Sequence, residues 1–349
     1  MRKKGLYILV ATALLAWSCG KEDFSASDSP RPIVFSMLSL NSTSSTKADT
    51  YTYLSSGSTI SVAARKSAGS TWSSTDASYV FNTTSHLQNV QTTNATGSCT
   101  YSPAAYWSGN SVFRFRAVYP IAPDQVSYSD DLDGNAVISN FTVNASASAQ
   151  KDLMLSDMVE RSLTSVGNPD PVEIVFHHLL CKVKVQIIED TSKPAANPGN
   201  DVFTITGVKL TGMPDKGTYT GAATSGAWNT SSASSLSCVN NTSHIAPNSY
   251  NADSDDDGVP DADVWPEGLK LIPQTITNEV SLVLDYQVAH GSAQPSNKSV
   301  VIPIPPITWE AGKAYTYQLA LDEDMYIYFG NIIVASWGNT QSSGTVIIK

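Results

Sequence analysis

The sequence predicts an all-β protein, organised as two tandem β-sandwich domains. Three observations carry that reading. Short apolar or alternating runs recur between Gly, Ser and Asn turns along most of the chain. No amphipathic helical pattern lasts longer than three turns. Only 15% of the residues are charged while Ser, Thr, Asn and Gly abound, which fits an exported β-protein with polar turns better than a cytosolic enzyme.

Taken in order, the chain opens on a targeting pattern. A basic start, Met1-Arg2-Lys3-Lys4, leads into a largely apolar run from Leu6 to Trp17, too short to span a bilayer, and then Ser18-Cys19. A signal ending at a cysteine reads as a lipoprotein signal over residues 1–18. The Cys19 thiol would carry a diacylglycerol, and a palmitate-bearing lipid anchor would be the chain's only hold on a membrane. Trp17 is a bulky neighbour for a cleavage site, and an ordinary secretory peptide with an incidental cysteine is the alternative. Either signal implies export, and the lipid anchor places the chain on the outer membrane surface.

Residues 20–32 are polar, net acidic and end in Pro30-Arg31-Pro32, the composition of a tether. Ile33, Val34, Phe35, Met37, Leu38 and Leu40 then form a strand with apolar residues on both faces, which predicts a covered, interior position. A Ser/Thr-rich loop containing Lys47 follows. Further strands are predicted at 59–63, 111–119 and 136–143, a boundary at Val166-Gly-Asn-Pro-Asp-Pro171, and a second set at 172–188, 201–210, 280–288, 299–304, 314–321, 326–335 and 344–348. The expected organisation is therefore a signal (1–18), a lipidated tether with the first strand (19–47), an N-terminal sandwich (48–168) and a C-terminal sandwich (169–349).

Net charge is -10 over the whole chain, and the signal contributes only cations, so the exported part is more acidic still. That balance gives no electrostatic case for nucleic acid or anionic lipid. The signatures GxSxG, HExxH, GxxxxGK[ST] and GxGxxG are absent, so no catalytic residue is assigned and the chain is not read as an enzyme. His177 and His178 are adjacent and would point to opposite faces of a strand, which disfavours a shared metal. Beyond Cys19 the cysteines are Cys99, Cys181 and Cys238, with no CxxC spacing. Cys181 lies in an apolar strand and reads as a small core hydrophobe, while a Cys99–Cys238 bridge would link the two domains.

One segment has ligand spacing. Asp253, Asp255, Asp257 and Asp261 sit at loop positions 1, 3, 5 and 9, Gly258 at position 6, and the Val259 carbonyl at position 7. Hard oxygen donors so spaced suit Ca2+. The loop resembles those of thrombospondin type 3 repeats more than an EF-hand, since Val264 stands where a bidentate glutamate would be. A weakly held, structural calcium ion is expected, against the alternative of a solvated acidic loop.

An ordered set of segments carries a family resemblance: Tyr106-Trp107, Phe113-Arg-Phe-Arg-Ala-Val-Tyr119-Pro120, Asp152-Leu-Met-Leu, Val175-Phe-His-His-Leu-Leu-Cys-Lys-Val-Lys-Val, Trp309-Glu-Ala-Gly312-Lys-Ala-Tyr315-Thr-Tyr317, and Ile333-Val-Ala-Ser-Trp337. The set resembles the fimbrillin family of Bacteroidales, the subunits of type V pili. Cys181 departs from the small residue usual at its place. On their own terms Trp309, Tyr315, Tyr317 and Trp337 read as core aromatics and Gly312 as a turn.

The resemblance implies transthyretin-like sandwiches, export as a lipoprotein, cleavage by a surface protease after a basic residue behind the first strand, and replacement of that strand by an extended strand from another fimbrial subunit. Lys47 is the expected processing residue, with Arg31 the competitor. Little sequence follows Trp337, which tilts the expectation toward a minor or tip subunit. A host or bacterial glycan or protein receptor is the expected adhesion partner. The alternative is a non-polymerising surface lipoprotein that binds glycans, with Trp72, Tyr79, Tyr101, Trp228 and Tyr250 as candidate sugar-stacking rings.

Overall fold

The computed structural model describes residues 31–42, 50–120, 127–162, 171–189, 201–231, 233–240, 264–290, 293–321, 327–337 and 344–347. Cys19, Lys47, Tyr250 and the Asp253–Asp261 loop with Val259 lie outside them. Among the described residues, apart from one 3-10 turn at Ala147–Ala149, all regular structure is β.

The strands of the first half are β1 (Phe35–Ser42), β2 (Thr50–Tyr53), β3 (Thr59–Ala68), β4 (Ser78–Tyr79), β5 (Leu87–Thr92), β6 (Cys99–Thr100), β7 (Ser111–Tyr119), β8 (Ser127–Asp130), β9 (Ala136–Thr142), β10 (Met154–Ser156), β11 (Val159–Ser162) and β12 (Val172–His178). Those of the second are β13 (Cys181–Glu189), β14 (Asp201–Pro214), β15 (Lys216–Gly221), β16 (Ala227–Asn229), β17 (Ser235–Asn240), β18 (Leu269–Leu271), β19 (Gln274–Ile276), β20 (Ser281–His290), β21 (Ser296–Pro303), β22 (Ile307–Trp309), β23 (Lys313–Leu321), β24 (Ile327–Ser336) and β25 (Gly344–Ile347).

A ten-stranded sheet runs β2-β1-β12-β10-β7-β3-β5-β6, with β11 beside β7 and β4 beside β3. The second half builds β18-β13-β23-β24-β25 and β17-β14-β20-β21, and a further sheet, β16-β15-β9-β8, draws strands from both halves. Apolar side chains gather in two clusters. One holds Ile33, Phe35, Met37, Val62, Phe113, Phe115, Ile174 and Phe176. The other holds Val118, Ile138, Leu155, Leu179, Leu180, Cys181, Trp309 and Tyr317.

The apolar run 172–188, expected as one strand, is two. In β12 the buried residues are Val172, Ile174, Phe176 and His178; in β13 they are Cys181, Val183, Val185 and Ile187. The period-2 phase slips by one residue at Leu179-Leu180, both fully buried, and a slip turns every later side chain to the opposite face. The chain uses it to leave one sheet and enter another. Two consequences bear on organisation. β12 falls within the expected 169–349 unit yet pairs with β1 and β10. β9, from the 48–168 unit, pairs with β15. A cut at 168 therefore does not coincide with the division of the sheets.

The aromatic anchors are where their residue types demand. Trp309, Tyr315, Tyr317 and Trp337 are all buried. The Trp309 indole N–H donates to the Tyr317 hydroxyl at 2.8 Å, and the Tyr315 hydroxyl donates to Thr308 O at 3.0 Å while accepting the Glu310 N–H at 2.8 Å. The polar tips of Trp309, Tyr315 and Tyr317 are thus satisfied inside the core. Gly312 turns the chain at φ +71°, a conformation that glycine adopts without steric cost.

Candidate functional site at the first strand

β1 occupies the interior position its composition predicts. Along one edge it runs parallel to β12, with Phe35 opposite Val172 and Ser39 opposite Phe176. Its other edge is shared by three segments. Trp107 N–H donates to Arg31 O at 2.9 Å, and Ile33 N–H donates to Ala105 O at 2.9 Å. Met37 N–H donates to Gly97 O at 3.1 Å. Leu38 and Leu40 then face Tyr53 and Tyr51 of antiparallel β2. Since Ser36 also bridges Ser98 next to β6, β1 joins the two ends of the ten-stranded sheet. It is the stave that closes a curled sheet.

One face is fully covered and the other only in part, and here the two-faced expectation is corrected. Ile33 and Phe35 are 1% exposed and Met37 is 0%, whereas Val34 is 41% exposed and Leu38 half-buried. Leu40 is placed by its backbone alone. The alternation of a strand sends 33, 35 and 37 inward and 34, 36 and 38 outward. What makes the position interior is the pairing of both edges.

The inward side chains enter an aromatic box. The Phe35 ring lies 5.6 Å from Tyr101 and 5.7 Å from Phe115, the latter edge-to-face. Phe81 meets Tyr101 at 5.9 Å, and Trp107 meets Phe115 at 5.8 Å. The Tyr101 hydroxyl donates to Ile33 O at 2.8 Å and accepts the Ala105 N–H at 3.3 Å. Burial raises its pKa, so it stays a neutral donor. Gly97 allows the closest approach. At its φ of +71° a Cβ would lie 2.7 Å from Met37 O and 2.5 Å from Tyr53 Cδ1. Burying three large side chains is worth roughly 1.5–3 kcal/mol each, which in sum rivals the ~5–15 kcal/mol net stability of a domain. Without β1, the Val172–Phe176 edge of β12 and the 97–107 segment would lose their partners together, leaving an apolar groove between two unpaired edges.

The back of the same sheet is held by charge, which sequence reading missed. Arg116 pairs with Asp130 at 2.8 Å, side chains 2% and 0% exposed, and also donates to Gly134 O at 2.9 Å. Tyr128 OH donates to Asp130 at 2.7 Å, and burial with the adjacent carboxylate pushes its own pKa well up. Arg114 reaches Asp133 at 3.0 Å and Glu160 at 2.8 Å, and Arg65 donates to Asp131 O at 2.7 Å. Three arginines on neighbouring strands thus seize the 130–134 turn. Alternate arginines in the otherwise apolar Phe113-Arg-Phe-Arg run were the available signal, since a buried arginine needs a partner.

The histidine pair behaves as the strand geometry predicts. His177 meets Asp157 and His178 meets Asp152, each at 2.9 Å, on opposite faces. Among the described residues no cluster of metal-binding side chains occurs. Cys99, Cys181 and Cys238 are free, and Cys181 is fully buried as a small hydrophobe. No helix among the described residues is long and apolar enough to cross a membrane.

The rings proposed for sugar stacking are largely engaged. Trp72 lies under the Arg114 guanidinium, Tyr79 stacks on His86 at 3.6 Å, and Trp228 packs on Phe141 and Tyr219. Tyr101 lines an open cleft of about 430 Å³ with Thr59, Asn89, Gln91, Thr100 and Ser102, but its ring is committed to Phe35 and Phe81.

Comparison with known proteins agrees with this architecture. A fimbrial protein from Bacteroides vulgatus superposes with a TM-score of 0.59 at 17% identity, covering 87% of this chain and 99% of its own. A protein from Bacteroides uniformis described as a candidate for cell adhesion superposes with a TM-score of 0.51 at 16% identity, covering 88% and 98%. At such identities these likenesses concern the fold. No curated protein matched by sequence. A family profile described as fimbrillin-like matches residues 46–338, most of the length, and by that match the chain belongs to the fimbrillin-like family.

Proposed function

We propose that this chain is a structural and adhesive subunit of a cell-surface fimbrium, exported as a lipoprotein on Cys19, activated by proteolytic removal of its first strand, and assembled by strand exchange as a tip or minor subunit. Family membership supports the surface adhesive role. The observation that carries strand exchange is the seat of β1: paired on both edges, anchored by three buried side chains, and joined to β2 through the segment that contains Lys47. Incoming β-strand addition would satisfy both edges again, with alternate side chains setting register.

Lys47 suits the cut better than Arg31. It is the only Lys or Arg between Arg31 and Arg65, and Arg65 is tied to the carbonyls of Ser74, Ala77 and Asp131. A cut after Arg31 would have to open the bond to Pro32, whose ring and missing N–H obstruct docking in a protease cleft. It would also leave β1 in place, releasing the chain from its tether without opening the groove.

Limited tryptic digestion of the folded chain lacking residues 1–18, with N-terminal sequencing and an unboiled gel, tests this. Cleavage at Lys47 with larger detergent-resistant species supports strand exchange and stalk capability. Cleavage at Lys47 that leaves a monomer supports a tip subunit awaiting a donor. No cleavage there, with β1 still protected, overturns the pilin mechanism and leaves a tethered surface binding protein.

A further inference from the structure

Resting on that reading of the groove, we infer that the strand accepted by this subunit is selected by one aromatic anchor: a ring at the position of Phe35, with large aliphatic side chains two residues to either side. The geometry separates what the groove reads from what it ignores.

Backbone contacts carry no side-chain information. Ala105 O and Gly97 O accept N–H groups from positions 33 and 37, and Tyr101 OH donates to the carbonyl of position 33. They demand only that neither 33 nor 37 be proline. They also set direction, parallel to β12 and antiparallel to β2. Among the described residues β2 neighbours β1 alone in the sheet order, so an incoming strand that restores the sheet pairs with β2 as well.

Side chains at 34 and 38 point outward, and Val34 is 41% exposed, so the groove tolerates most residues there. Ser36 faces Ser98 across a bridge, which favours a small residue. Discrimination falls on 33, 35 and 37. Of these, 35 carries the ring, which meets Tyr101 and Phe115, backed by Phe81 and Trp107. Aromatic pairs in edge-to-face and tilted geometry add to the value of burial alone. The partner is therefore a strand of pattern aliphatic-x-aromatic-x-aliphatic, with a small residue after the ring. A strand shifted by one residue would present its ring to solvent and leave the box without it.

The test uses the full chain without residues 1–18, cut at Lys47 and freed of β1 in mild denaturant, then offered synthetic peptides of residues 31–42. The native peptide should rebind. Phe35→Ala should weaken rebinding by ~100-fold or more, the scale of deleting a buried ring. Phe35→Leu should fall between the two, and Val34→Ala should bind within about threefold of native. Equal rebinding of native and Phe35→Ala peptides would overturn the anchor while leaving strand replacement intact. Failure of the native peptide to leave or to rebind would overturn strand replacement, and the anchor with it.

Discussion

β1 and β21 are both eight residues long and are placed in opposite circumstances. Among the described residues β1 has neighbours on both edges, whereas β21 ends its sheet beside β20 alone. Phe35 is 1% exposed and Val301 61%. β21 carries Lys298 and finishes at Pro303, while β1 has no charged residue at all. A permanent edge is blunted by lysine and proline, which discourage pairing with other chains. Of the edges that flank β1, Val172–Phe176 of β12 has neither lysine nor proline, and Glu173 is its sole charge. Among the described residues, the edge left open thus carries lysine and proline, and the β12 edge covered by the first strand carries neither. That asymmetry is what the proposed strand replacement would require.

The comparison breaks if β1 proves no more important than β21. Phe35→Ala in the intact chain is expected to cost about 3–5 kcal/mol, against less than about 0.5 kcal/mol for Val301→Ala, measured by urea denaturation. Equal costs would mean that the aromatic box does not hold the strand. Gly97→Ala comes next, at about 1–3 kcal/mol, since φ +71° and the approach to Met37 O both oppose a Cβ. Its sharper readout is hydrogen exchange, which should accelerate at the Met37 amide before the core of the second half responds.

Tyr101→Phe keeps the ring and removes the hydroxyl held between Ile33 O and Ala105 N–H, for a loss of about 1 kcal/mol. Release of β1 after cleavage at Lys47 should then occur at lower denaturant. The smallest effect belongs to the other region. Glu279, in the turn before β20, accepts hydrogen bonds from the Thr277 hydroxyl and from the Asn278 N–H at 2.9 Å. These donors, the Thr277 hydroxyl foremost, lower its pKa from 4.5 to about 2. A depressed carboxyl stabilises above its ordinary value and loses that contribution as pH falls from 4.5 through about 2. Glu279→Gln should flatten the acid limb of the stability curve in that window, slightly because the side chain lies at the surface, and leave β1 release unchanged.

Parts of this picture are legible in single residues. The apolar run at 33–40 announces a strand that needs cover, and Trp309, Tyr315, Tyr317 and Trp337 announce a core. The phase slip at Leu179-Leu180 is also present in the sequence, yet two adjacent leucines continue an apolar run so smoothly that it reads as one strand. The second face of β1 misled for a related reason. Val34 and Leu38 are apolar, but an apolar residue on a strand need not be buried.

Local chemistry, then, determined by itself that the chain is all-β, that its first strand is too apolar to stand at an open edge, and that the adjacent histidines serve separate partners. These depend on the two-residue period and on residue type, which act over a few neighbours. Tertiary structure alone decided that β1 lies between β12 and β2, that Arg116 finds Asp130, that His178 finds Asp152, and that Phe35 enters a box built from Phe81, Tyr101 and Phe115. Several of those join positions far apart in the chain, such as β1 with β12 and Phe35 with Phe115. Such pairings are set by closure of the whole sheet, where many strands of similar pattern compete and only the complete set of edges and faces selects one arrangement.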